Sequence, residues 1–94
     1  MKKIAAIKLS VSVLKQDNRY VAYSPALDLS TSGKSETEAK KRFGEAALLL
    51  IEELDKAGTL REMFKELGWK QAQKRWSPPK EVQKSVELQI PAGV

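Results

Sequence analysis

Between Ala39 and Leu54 the residues Ala39, Phe43, Ala46, Ala47, Leu50, Ile51 and Leu54 recur at spacings of three and four. A helix gathers such a set into one apolar stripe. Its ends are marked by their own chemistry. Ser35-Glu36-Thr37-Glu38 reads as a capping box, in which the serine oxygen accepts from the amide three residues on and Glu38 reaches back to the cap amide. Gly58 stands where the chain must turn left-handed to leave the helix. A helix this long and this one-sided needs an apolar surface to lie on.

The segment before it supplies that surface. Ile7, Leu9, Val11 and Val13 alternate with Lys8, Ser10 and Ser12, the period-two pattern of a strand with one buried face. Lys15-Gln16-Asp17-Asn18 is polar and turn-prone, so the strand from Arg19 to Ser24 returns antiparallel. Pro25 cannot donate to a ladder and ends it. Leu27, Leu29 and Thr31 then alternate with Asp28, Ser30 and Ser32 in a third strand that reaches Gly33.

Beyond Gly58, Thr59-Leu60-Arg61-Glu62 reads as a second capping box, opening a short helix with Leu60, Met63, Phe64 and Leu67 on its apolar side and Gly68 at its end. Periodicity is lost from Trp69 to Lys80, and Pro78-Pro79 forbids a helix there. Val86, Leu88 and Ile90 alternate with Ser85, Glu87 and Gln89, which predicts a last strand before Pro91. The expected fold is α+β: an antiparallel sheet of three to four strands with one long helix packed on one face, in the order β-β-β-α-α-β, as a single domain over residues 1–94. The long connection before the last strand lets it join its own sheet or that of another subunit.

The residue inventory restricts chemistry. The chain has no cysteine and no histidine, so it lacks thiolate chemistry, disulfides, the commonest metal ligand and the commonest general base at neutral pH. No metal and no cofactor is expected. Two-metal phosphoryl chemistry needs converging carboxylates. The strand region offers Asp17, in a turn, and Asp28, so a degenerate nuclease would have to work through Asp28. Lys8, Ser10 and Ser12 interrupt the apolar run after the basic amino terminus, and no segment is long enough to span a bilayer. A cytoplasmic protein without membrane attachment is expected.

Three surfaces remain as places for function. The first is on the long helix. Leu48 falls roughly opposite the apolar stripe, Leu49 lies at its margin, and Glu45 and Glu52 flank Leu48. An apolar spot ringed by charge suits contact with a partner. The second is the basic, aromatic run from Trp69 to Trp76, in which Trp69 and Trp76 could stack bases while Lys74 and Arg75 grip phosphate. The net charge of +5 agrees with an anionic partner, although the basic residues are scattered. Trp69 has a competing role, packing back on the short helix just past Gly68. The third is the open edges of a small sheet, which homodimers or higher homo-oligomers commonly cover.

Several segments, in this order, resemble HicB-type antitoxins. Tyr20-Val21-Ala22-Tyr23-Ser24-Pro25-Ala26-Leu27 is similar to the family's tyrosine-x-alanine-x-x-proline-x-leucine core. Gly33-Lys34-Ser35-Glu36-Thr37-Glu38-Ala39 resembles the glycine and helix start that follow it, and Leu67-Gly68-Trp69 the leucine-glycine-tryptophan turn found in many members. Together they cover most of the chain up to Trp69. The resemblance implies a reduced RNase H-like unit without a catalytic centre. It also implies a protein partner of HicA type, a small basic toxin that cuts messenger RNA and is neutralised when the antitoxin covers its site.

The chain departs from the family pattern in two places. Asp28-Leu29-Ser30 stands where members often have proline-glycine-cysteine, and the stretch after Gln71 reads as loop plus strand rather than as a DNA-binding tail. A chain of positive net charge that masks a basic toxin also needs local acid, which Glu36, Glu45, Glu52, Glu53 and Asp55 could supply.

Overall fold

A computed structural model describes residues 6–93; Met1–Ala5 and Val94, and with them the start of the basic amino-terminal run, lie outside the described residues. Three strands, β1 (Ser12–Gln16), β2 (Arg19–Ser24) and β3 (Leu29–Gly33), form an antiparallel sheet in the order β1-β2-β3. The helices α1 (Glu36–Ala57) and α2 (Leu60–Glu66) follow, and then a small hairpin of β4 (Lys70–Ala72) and β5 (Arg75–Ser77). The α+β class, the element order and the long helix laid on one face of the sheet are as the sequence predicts.

The strand boundaries follow from what can pair. Ser12 lies opposite Tyr23, so any residue before Val11 would face Pro25, which has no amide to give and starts a turn. The ladder of β1 therefore begins at Ser12 and not at Ile7, although the alternation of burial at Leu9, Val11 and Val13 continues through the unpaired part. At the other end Gln16 pairs with Arg19, leaving a two-residue loop whose first member, Asp17, has φ 53. Aspartate tolerates that left-handed conformation. The third strand begins at Leu29 rather than Leu27 because Pro25 to Asp28 form a β-turn, with the Asp28 amide donating to the Pro25 carbonyl at 3.2 Å. Leu27 is buried all the same, carried into the core by the turn.

Capping sets the helix ends. Ser35 Oγ accepts from the Glu38 amide at 3.1 Å. The return leg of the box goes one residue further back than predicted: Glu38 Oε1 accepts from the Lys34 amide at 3.3 Å. At the far end Gly58 has φ 76, its amide donates to the Asp55 carbonyl and the Thr59 amide to that of Leu54, the paired bonds of a Schellman motif. The second predicted box does not form; Thr59 makes no side-chain cap bond to α2. α2 ends on the same double bond, with the Gly68 amide donating to Lys65 and the Trp69 amide to Phe64. Gly68 has φ 88.

The core lies between the sheet and the first half of α1. Ala22, Leu27, Ala39, Phe43 and Ala47 are buried, joined at the end of the sheet by Phe64 and Trp69. Small residues let the helix come close. A Cβ on Gly33 would sit 2.7 Å from the Ala39 amide nitrogen, and Thr31 Oγ1 donates to the Ala39 carbonyl at 3.0 Å. Because the nearest obstructing atoms at Gly33 are helix backbone, they cannot move aside. Gly33→Ala is expected to destabilise the fold by about 2 kcal/mol, within the range for overpacked sites. A urea melt followed by circular dichroism checks this, and an unchanged midpoint would show that helix and sheet are not seated so closely.

Two further expectations are corrected. The stretch after Trp69 is not structureless: β4 and β5 pair through a two-residue loop at Gln73 and Lys74, both at positive φ (52 and 65). Val86 to Ile90 form no strand. Among the described residues Val86, Leu88 and Ile90 are 78%, 74% and 68% exposed and have no ladder partner. The last β structure of the fold is thus the hairpin at 70–77.

Candidate partner-binding surface

α1 is longer than the sheet beneath it. Its 22 residues extend about 33 Å at 1.5 Å per residue. The five residues of β3, the strand it crosses most, span only about 17 Å. The buried residues Ala39, Phe43 and Ala47 all lie in the first twelve positions of the helix. Past Ala47 the stripe residues Leu50, Ile51 and Leu54 are only half-buried, with α2 beside them. The second half of α1 overhangs its support.

That overhanging half carries the first predicted site. Glu45, Leu48 and Glu52 are all exposed, and at about 100° per residue they fall within roughly 60° of arc. Leu48 is 59% exposed, and Leu49, placed by the sequence at the margin of the stripe, is 60% exposed. Gly44, one turn before Leu48, has open space around it. Charge is segregated along the helix. From Gly44 to Asp55 there are four carboxylates, Glu45, Glu52, Glu53 and Asp55, and no lysine or arginine. The first half holds Lys40, Lys41 and Arg42, of which Arg42 pairs with Glu38 at 3.1 Å and donates to the Ser32 carbonyl at 3.1 Å. Neither Glu45 nor Glu52 takes part in an ion pair among the described residues. The result is a pair of adjacent exposed leucines on an acidic stretch of helix, in a chain whose net charge is +5.

The second predicted surface is built differently from its expectation. Trp69 is 3% exposed. Its ring stacks on Phe64 with centroids 4.1 Å apart and planes 10° apart, and its Nε1 donates to the Ala26 carbonyl at 2.7 Å. Trp76 meets the same Phe64 edge-on at 5.3 Å. Both indoles are therefore engaged in packing, and Trp69 has no free face for a base. Lys74 and Arg75 are exposed at the turn of the hairpin. The four residues form no shared platform.

The remaining polar features are local. Asp28 has φ 48, a conformation closed to proline, so the turn after Leu27 is built differently from a loop with proline at that place. The Asp28 carboxylate accepts from the Tyr23 hydroxyl at 3.1 Å. That hydrogen bond, then desolvation and the charges of Asp28 and Glu81, raises the phenol above its usual pKa, so Tyr23 stays a donor through the neutral range. Among the described residues no three carboxylates come close enough to share a cation. No helix among them is long and apolar enough to cross a membrane.

Comparison with known proteins returned no protein-family model, no curated protein and no solved structure that matches this chain.

Proposed function

We propose that this chain is a non-enzymatic, antitoxin-like protein of HicB type that binds and neutralises a small basic, mRNA-cleaving partner of HicA type. The observation that carries the reading is the overhanging half of α1. Leu48 and Leu49 offer apolar contact there, and Glu45 and Glu52 offer exposed negative charge to a basic surface. The ordered likeness of Tyr20 to Leu27, Gly33 to Ala39 and Leu67 to Trp69 to that family supports it, as does a residue set without histidine or cysteine. The working unit is a homodimer or higher homo-oligomer in the cytoplasm.

Local charge decides this docking more than net charge does, because interactions beyond about 8 Å are largely screened at physiological salt. The test is co-purification of the full chain with the product of the adjacent reading frame. A small basic neighbour retained at about one to one supports the proposal. A neighbour that is large or acidic, or that is not retained, refutes it. The competing nucleic-acid reading would gain from a gel shift of labelled RNA at low salt that disappears steeply as salt rises.

A further inference from the structure

The carboxyl-terminal segment behaves unlike the rest of the molecule. A compact domain of this length has a radius of gyration of about 12 Å. This chain has 16.4 Å and a longest dimension of 59 Å. Beyond Ser77 the chain has no helix or strand among the described residues. Pro78 and Pro79 still touch the body, Pro79 packing against Gly68, but every described residue from Lys80 onward is exposed. An unstructured polar tail would need no comment. This one is patterned as a strand: Val82, Val86, Leu88 and Ile90 fall on one side, interrupted only by Lys84, with Glu81, Gln83, Ser85, Glu87 and Gln89 on the other.

An edge of matching description exists in the same chain. The sheet has two edge strands. β3 is held by α1 through Thr31, through the Ser32 carbonyl and through the close approach at Gly33. β1 is met by α1 only at its margin, and no described residue pairs with its outer side. Its unpaired extension has a half-buried row of Leu9 and Val11, preceded by the exposed Ile7, with no described ladder on either side. From Ile7 to Gln16 the edge is about 33 Å long, and Val82 to Ile90 spans about 30 Å. The polar rows also complement one another. The outward row of the edge contains Lys8 and no acid, whereas that of the tail contains Glu81 and Glu87 and no base.

We propose that Val82–Ile90 of one copy adds as a strand to the open β1 edge of a second copy, reciprocally, so that the two chains exchange tails. The apolar row of the tail then continues the inner face formed by Leu9, Val11 and Val13, and the β1 edges of both copies are covered at once. The tail leaves its own body near the start of that strand, since Pro79 and Glu81 line one cleft with Lys8, Ser10, Pro25 and Ala26. From Val82 onward it is exposed and pairs with no described strand of its own chain, so the edge it would cover is that of a second copy. This deepens the dimeric part of the proposed function and is independent of the toxin.

The experiment compares the full chain with Leu88→Pro by sedimentation equilibrium and by amide hydrogen exchange. Proline at position 88 removes a ladder donor at a site 74% exposed, far from the core. The parent is expected to sediment as two chains, against 10.5 kDa for one, and to exchange its Val11, Val13 and Lys15 amides at least tenfold more slowly than the variant. Leu88→Pro is expected to sediment as one chain with an unchanged thermal melt of its helices. A parent that remains a single chain at 100 μM would overturn the exchange. So would a variant that stays dimeric, or a monomeric variant in which those amides are as protected as before. A monomeric parent whose melt falls in Leu88→Pro would place the tail on its own sheet instead.

Discussion

Trp69→Ala is expected to unfold the protein at 37 °C or to bring it close to unfolding. The indole is almost fully buried, stacked on Phe64, and fixed to the turn after β2 by its bond to the Ala26 carbonyl. It thereby joins the end of α2 to a segment 43 residues earlier. Truncating a buried tryptophan costs about 3–5 kcal/mol. Leaving the Ala26 carbonyl without its partner adds about 1–3 kcal/mol. A domain of this size has only about 5–14 kcal/mol in total. Trp69→Phe separates the two effects, since it keeps a stacked ring and removes the donor. It is expected to cost about 1 kcal/mol for the bond plus the smaller ring's lost packing. Urea denaturation followed at 222 nm measures both variants. A Trp69→Ala protein that melted like the parent would mean that the helix-end stack does not close the core.

The combined variant Glu45→Lys, Leu48→Lys, Glu52→Lys is expected to fold normally and to lose partner binding by roughly 100-fold or more in Kd, or about 3 kcal/mol. All three positions are exposed on the overhanging half of α1. Lysine, leucine and glutamate have nearly equal helix propensity, so the helix itself has little reason to change. What changes is the surface: two carboxylates become ammonium groups and the apolar spot between them is removed. Charge reversal against a basic partner acts on the association rate and on register as well as on affinity. Raising salt should therefore weaken the parent complex and, by screening repulsion, affect the variant much less. An unchanged Kd in the variant would move the interface elsewhere on the molecule.

The elements were legible where a boundary has a chemical mark, and illegible where it has none. Pro25, Ser35, Gly58 and Gly68 each stop or start an element where sterics and orphan amides require it. Thr59 carries the same capping-box spelling as Ser35 but makes no cap bond, because its φ of −112 with ψ of 3 departs from the extended backbone that a cap needs. The 70–77 hairpin escaped sequence reading because its two left-handed loop positions are Gln73 and Lys74, where asparagine and glycine would have signalled the turn. The alternation from Val82 to Ile90 was legible as strand character, but a strand needs an edge, and none of the described strands pairs with it.

The candidate surface was half legible. A helical wheel separates Leu48 from the buried stripe, since that depends only on about 3.6 residues per turn. The exposure of Leu49 depends on α1 being nearly twice as long as the strand under it, which periodicity does not report. Trp69 shows the converse. Its composition and neighbours fit a base-stacking site, whereas its position two residues after Leu67, at the C″ place of a Schellman turn, fits packing on the helix. The local geometry prevailed.

Whether this chain acts by covering another protein's surface with the acidic half of α1 is decided by an RNA-cleavage assay on the purified product of the adjacent reading frame. That product alone is expected to cleave messenger RNA. The full chain at one to one is expected to protect the RNA completely, and the variant carrying Glu45→Lys, Leu48→Lys and Glu52→Lys is expected to give no protection. Cleavage that continued undiminished at a tenfold excess of the full chain, or protection equally strong with the charge-reversed variant, would refute that mode of action.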